Sequence, residues 1–284
     1  MKIREPAVAG SFYPLGASEL KKTIEKFFSL VEAKPVEARM IVSPHAGYEY
    51  CGKTAASVYK SVEGKFDTIV IIGPNHSGSG AGVAISLDTW KTPLGNIRVD
   101  EEFAKALMKG SIITEDYKSH AKEHSIEVQL PWLQHKFGDF KFVPISISSD
   151  YFDAKSCKEI GTKIAEVSKK LKRNILIVAS SDFTHHGSMY DNAIYKGTLV
   201  QVLKKIKDAD TVVAQCVTKL MPEKLIDVCD ENKCTVCGYG AIAAGMWAAK
   251  ALGAKKGEVI GYSTSYDVSK DANAIVGYCG IAIY

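Results

Sequence analysis

The chain has no apolar run of the ~18 residues that a membrane-spanning helix needs, so no membrane partner is expected. Its first residues, MKIREPAVAGSFYP, lack the apolar core of a secretion signal, and the expected compartment is the cytoplasm. Charge of one sign is also scarce: a net +4 over 284 residues, with no dense Lys/Arg cluster beside aromatics. That leaves little of the electrostatic footprint of a nucleic-acid binder, and no nucleic acid is expected as a partner. Seven cysteines, an odd number scattered through a chain of this size, do not make a secreted disulfide framework. Linkers, internal repeats and low-complexity segments are missing as well, which points to one domain over residues 1–284.

What is present has the composition of an ordinary globular protein, 46% apolar and 24% charged. Apolar runs alternate with amphipathic stretches: ARMIVSP, a helical TAASVYKSV, FDTIVIIGP, then FVPISIS, a helix near Lys155 to Lys170, and NILIVASSD. This rhythm predicts an α/β fold, with buried strands joined by crossover helices. GVAISLDTW and IRVD flank the turn-rich Thr92–Asn96 and predict an added antiparallel hairpin, hence a mixed, mostly parallel sheet. Asp100 is placed to cap a helix EEFAKALMK that Gly110 ends. Helices are expected around Asp208 to Val228 and in GYGAIAAGMWAAKAL, before two closing strands, EVIGYSTSYDV and AIVGYCGIAIY.

Three of these strands lead into His, or into Asp with His, at the equivalent place. ARMIVSP leads to His45, FDTIVIIGP to Asn75-His76, and NILIVAS to Ser180-Ser181-Asp182-Phe183-Thr184-His185-His186. In an open α/β sheet the carboxyl ends of strands face the ligand crevice. One such histidine is unremarkable as a loop residue; three at equivalent places point to a site. Cys237 in Cys234-Thr235-Val236-Cys237-Gly238 begins an apolar helix, whose N-terminus favours a thiolate that can be metal ligand or nucleophile. Cys234-x-x-Cys237 has redox spacing but falls late in the chain, and no second Cys or His pair at similar spacing is present to complete a zinc knuckle.

His120 and His124 are four residues apart in a segment expected to be one helix through Phe137, disturbed at Pro131. H-E-x-x-H is absent, so a zinc-protease site is not supported. His124 is a candidate site residue, His120 an ordinary one, and Glu123 and Glu127 are expected as surface salt-bridge partners. GYEYCGKT, residues 47–54, matches the phosphate-loop pattern G-x-x-x-x-G-K-[ST], yet places Tyr48, Glu49, Tyr50 and Cys51 where the cradle needs small residues. The alternative is a tight turn that delivers His45 and leads into a helix, with Lys53 free to bind an anionic ligand.

Taken in order, REPAVAGSFYP, PHAGYEYCGKTAASVY, GPNHSG, WKTPLGNIRVD, EHSIEVQLPWLQ, SSDFTHHG, CGYGAI and GYSTSYD resemble the Memo family, known in microbes as AmmeMemoRadiSam system protein B. The resemblance runs from about Glu5 to the C-terminus. It implies a fold similar to class III extradiol dioxygenases, with His45, His76 and Cys237 as metal ligands and Asp182, His185 and His124 lining the same pocket. Fe(II) is the implied metal, with Cu or Zn as alternatives, and the substrate a small phenolic or chelating molecule. In such a site His185 would be the general base, Asp182 would orient it, and His124 would donate to developing oxygen charge.

The dioxygenases complete their triad with a carboxylate where Cys237 stands here, a softer and oxidisable donor. Cys234 lies outside the family motif and is open to a disulfide or redox role. The resemblance also brings a peptide-binding module as an alternative and, by association, a radical-SAM partner. A Cys237 nucleophile with His185 as base and Asp182 as orienter is a third reading.

Overall fold

The computed structural model describes residues 2–284. Four strands form its parallel centre, in the order Lys141–Ile147, Thr68–Pro74, Ile175–Ser180, Met40–Ser43. All residues of the last three are buried. Burial on both faces explains why they read as continuous apolar runs rather than alternating ones. Ile275–Ile283 then pairs antiparallel with Met40–Ser43 and with Gly257–Thr264, so the two late strands do close the sheet. The architecture is therefore α/β with a mixed, mostly parallel sheet, as expected.

The hairpin lies where the turn residues put it but is shorter: Thr89–Thr92 pairs with Gly95–Val99. Val83–Ile85, read as part of its first arm, instead pairs antiparallel with Lys141–Ile147. The break falls at the bend between the two strands, where Asp88 N donates to Ser86 Oγ. Asp100 caps Glu101–Met108 by accepting from Phe103 N, and Gly110 takes the positive φ of a helix stop. Ala154–Leu171 packs against Tyr239–Ala251, whose Ala and Gly residues allow close approach.

The segment from His120 to Phe137 is not one helix. A short turn at Lys118–Ala121 is followed by irregular chain, a 3₁₀ turn at Glu127–Gln129, and a helix Leu130–Phe137 with Pro131 in its first turn. Pro131 starts this helix rather than disturbing one, because its missing N–H is no loss there. The irregular stretch is held from far away. Arg4 forms an ion pair with Glu127 and donates to the carbonyls of His120 (3.0 Å) and Glu123 (2.6 Å), while its guanidinium lies 4.2 Å over Trp90. Glu127 also accepts from Ala7 N, Val8 N and the Tyr13 hydroxyl, which ties the N-terminal strap across the segment. Glu123 and Glu127 are thus core residues, 1% and 0% exposed, and the expectation of a surface salt-bridged helix start is corrected.

Candidate metal centre

The parallel centre aligns Ser43 with Ser180 and Ile72 with Ala179, so the strand exits leading to His45, His76 and Asp182 lie side by side. The irregular segment delivers His124 from across the crevice. One ring nitrogen from each of His45, His76 and His124 falls within 4.8 Å of the others. The His76 and His124 rings are stacked at 4.8 Å, and His45 stands edge-on to both, at 5.1 and 5.4 Å.

The neighbours of these rings determine which nitrogens are available. Ser180 Oγ donates its single hydrogen to the Ser125 carbonyl (2.6 Å), so towards His45 Nδ1, 2.9 Å away, it can only accept. His45 Nδ1 therefore carries the proton, and Nε2 keeps its lone pair. Glu123 does the same for His76: its Oε1 lies 3.0 Å from Nδ1, and its other oxygen accepts from His76 N. It also accepts from the backbone of His124 and Ser125. Carboxylate or hydroxyl partners on the far nitrogen are what orient metal-ligating imidazoles.

Burial pushes the His45 pKa well below its usual value, reinforced by His76, His124 and His185 nearby. His124 is likewise lowered, burial being the largest cause, partly offset by Glu123. Both rings are held neutral, the form that binds a metal. Burial alone would raise Glu123, but the hydrogen bond from His76, the two neighbouring imidazoles and the Ser125 N–H bring it down to about 2.

Cys237 reaches His45 from the other side but lies outside the group that the three histidines form, where the resemblance had placed it as a ligand. Its Sγ is 3.1 Å from His45 Nε2 and 3.7 Å from the Asp182 carbonyl. A Cβ on Gly238 would stand 2.5 Å from the Ser180 carbonyl, so glycine is what allows this turn to press onto the strand. Burial raises the thiol pKa well above normal, and the Asp182 charge adds to it. Burial thus works against the thiolate that the start of the helix at Tyr239 was expected to favour. The S–H points instead at the free His45 lone pair. The contacts of Cys237 are with His45 and the Asp182 carbonyl, and no hydrogen bond joins it to His185 among the described residues.

A cavity of about 480 Å³ opens over the cluster. His45, His76, His124, Asp182 and His185 line it, with Phe12, Tyr50, Tyr190 and Tyr278 as aromatic walls. His185 Nδ1 lies 3.0 Å from the Phe183 carbonyl and 2.9 Å from that of Thr235, so it must donate, leaving Nε2 as an acceptor. These carbonyls, rather than Asp182, orient the ring. Asp182 spends Oδ1 on the His45 backbone N–H (2.8 Å), fixing the strand exit, and burial raises its pKa. His186 faces away and stacks on Tyr195.

His120 is a buried core residue with Nε2 on the Ala84 carbonyl, as its ordinary reading implied. In GYEYCGKT the helix already begins at Tyr48, and the amides of Tyr50 and Cys51 bond back to the Gly47 carbonyl. The N–H groups that would cradle phosphates are spent inside a helix. Gly52 lies inside this helix, where a Cβ would stand 2.6 Å from the Phe27 ring. Lys53 is exposed and does not line the cavity, so its assignment to a ligand beside the site is withdrawn. No described helix is long and apolar enough to cross a membrane.

Fold and cluster together define an α/β protein with a candidate histidine centre at the carboxyl edge of its sheet. Residues 4–282 match the family described as Memo-like protein, and the chain belongs to that family. A MEMO1 family protein of Methanosarcina barkeri is 41% identical over 282 residues, covering 99% of this chain and 100% of the relative. One from Methanopyrus kandleri is 40% identical, with 98% of each chain covered. The crystal structure of an uncharacterized protein from Escherichia coli K12 aligns with a TM-score of 0.49 at 12% identity, over 86% of this chain and 98% of the other.

Proposed function

We propose that this is a mononuclear metal protein in which His45, His76 and His124 hold the ion with Cys237 beside them as a further donor. Its activity is a redox, dioxygenase-like reaction on a small phenolic or otherwise chelating molecule. The observation that carries the reading is the convergence of three imidazoles whose ring nitrogens lie within 4.8 Å of one another, two of them with Nδ1 committed to Ser180 or Glu123. That donor set fits a first-row transition metal; Fe(II) is assigned first, with Cu and Zn as competitors. The bound ion would supply Lewis acidity and, if redox-active, electrons for O2 chemistry.

The chain's own groups do the rest. Phe12, Tyr50, Tyr190 and Tyr278 offer faces and edges to an aromatic ring, which favours a planar substrate. His185 Nε2, the acceptor nitrogen, takes the proton of a substrate hydroxyl. Asp182 keeps His45 in place through its backbone. The same aromatic walls favour a second reading, a peptide-binding module in which metal is incidental.

The test is oxygen uptake by Fe(II)-reconstituted protein with a panel of catechols. Substrate-dependent uptake that His185→Gln abolishes without loss of metal is expected. Metal-replete protein that consumes no O2 with any catechol, yet binds aromatic peptides equally with and without metal, overturns the enzyme reading in favour of the module.

A further inference from the structure

A second group of thiols lies outside the histidine centre. Cys216 is on the helix Leu199–Thr218, Cys229 on the helix Pro222–Glu231, and Cys234 in the loop that follows. Spacing alone couples Cys234 to Cys237, but the fold directs them apart. Cys237 turns to His45, whereas Cys234 turns back to Cys229. Cys234 N donates to the Cys229 carbonyl at 2.8 Å, closing the last helical turn and bringing residues five apart side by side. Cys234 Sγ lies 3.7 Å from the carbonyl of Val228, the residue before Cys229. Cys229 is buried, while Cys234 is partly exposed and lines a cavity of about 150 Å³ with Thr184, Tyr195 and Lys233. One sulfur is thus accessible and the other is held behind it.

We propose that Cys229 and Cys234 form a redox-active pair that closes to an intrachain disulfide by exchange with a low-molecular-weight disulfide entering this second cavity. Cys234, as thiolate, attacks one sulfur of the incoming disulfide and expels the first thiolate, which takes up the proton Cys234 gave to water. The Cys229 sulfur, losing its own proton, then attacks the Cys234 sulfur and expels the second thiol. Two protein thiols and one small disulfide become one protein disulfide and two small thiols, so atoms and electrons balance. The roles follow from the surroundings: the hydrogen bond from Cys229 lowers the Cys234 pKa, and the same contact, with burial, raises that of Cys229.

The pair sits one residue from the clamp on His185. Thr235 Oγ1 accepts from His185 N at 2.8 Å and the Thr235 carbonyl from its Nδ1. Closing the disulfide therefore acts on the residue that orients His185. The exchange chemistry itself does not depend on the histidines holding a metal.

The reduced full-length protein is incubated with oxidised glutathione, acid-quenched, alkylated and mapped by mass spectrometry after cleavage at Lys233, which separates the two cysteines. Expected is a linked peptide pair joining Cys229 to Cys234 in wild type, and a glutathione adduct arrested on Cys234 in Cys229→Ser. Native-state alkylation of Cys234 should also slow severalfold in Cys229→Ala, which removes the donor, and stay close to wild type in Cys229→Ser, whose hydroxyl still donates. A stable glutathione adduct in wild type, a Cys234–Cys237 bond, or no reaction at Cys234 overturns the proposal.

Discussion

Ser180 Oγ lies 2.9 Å from His45 Nδ1 and gives its only hydrogen to the Ser125 carbonyl, so it holds His45 in the tautomer that presents Nε2. Gln129 Nε2 donates to the same oxygen and fixes it further. Ser180→Ala removes the acceptor without removing a ligand. Metal affinity should fall about 10–100-fold, as for other outer-shell partners of ligating histidines. Titration of the metal-free protein, with folding checked by circular dichroism, measures it.

Arg4 and Glu127 are a buried pair that reaches from the N-terminal strap to the segment bearing His124. Arg4→Met leaves the Glu127 carboxylate buried with its cationic partner gone. It should cost about 3–5 kcal/mol in urea unfolding, the usual range for breaking a buried pair from one side. Because the same segment carries His124, metal affinity should fall as well. A variant as stable as wild type would contradict the strap's role.

These two cases divide what the sequence discloses from what it does not. His45 and His76 are legible because each follows a continuous apolar strand at once, and strand direction decides where they emerge. The helix Glu101–Met108 is legible because Asp100 and Gly110 mark both ends locally. Glu123 and Glu127 read as surface charges because their partners, His76 and Arg4, are distant in sequence, and no periodicity reports a contact of that range. The pairing of Cys234 with Cys229 rather than Cys237 is hidden for a related reason. A helix-terminating turn brings the first two together, while the chain beyond leads Cys237 to another strand.

His120 gives a pH dependence with a definite sign. Burial lowers its pKa to about 4 in the folded protein, against an unfolded value near 6.5. Above pH ~6.5 both states are neutral and His120 has no linkage effect. As pH falls from there towards ~4 the unfolded chain takes up the proton first, and stability is lost across that window. The metal-free protein should therefore be less stable to urea at pH 5 than at pH 7. His45 and His124 act in the same direction. His120→Gln, whose amide can still donate to the Ala84 carbonyl, should show a shallower dependence, and an unchanged slope would contradict the assignment.

Lys53 projects from the helix Tyr48–Ser61 into solvent, outside the cavity. Lys53→Ala should leave metal and ligand affinity within about twofold of wild type, as for surface substitutions generally. Nucleotides should not bind at millimolar concentration. A marked loss of affinity for an anionic ligand in this variant would contradict that placement.

Metal stoichiometry of anaerobically purified, Fe(II)-reconstituted protein tests the centre most directly, measured beside His45→Ala, His76→Ala, His124→Ala and Cys237→Ser, each confirmed folded. The account predicts about one ion per chain in wild type, lost in each histidine variant and retained more weakly in Cys237→Ser, as expected for a site whose imidazoles dominate. Folded wild-type protein that binds no Fe(II), Cu or Zn, or a His124→Ala variant that keeps the ion at wild-type affinity, would contradict it.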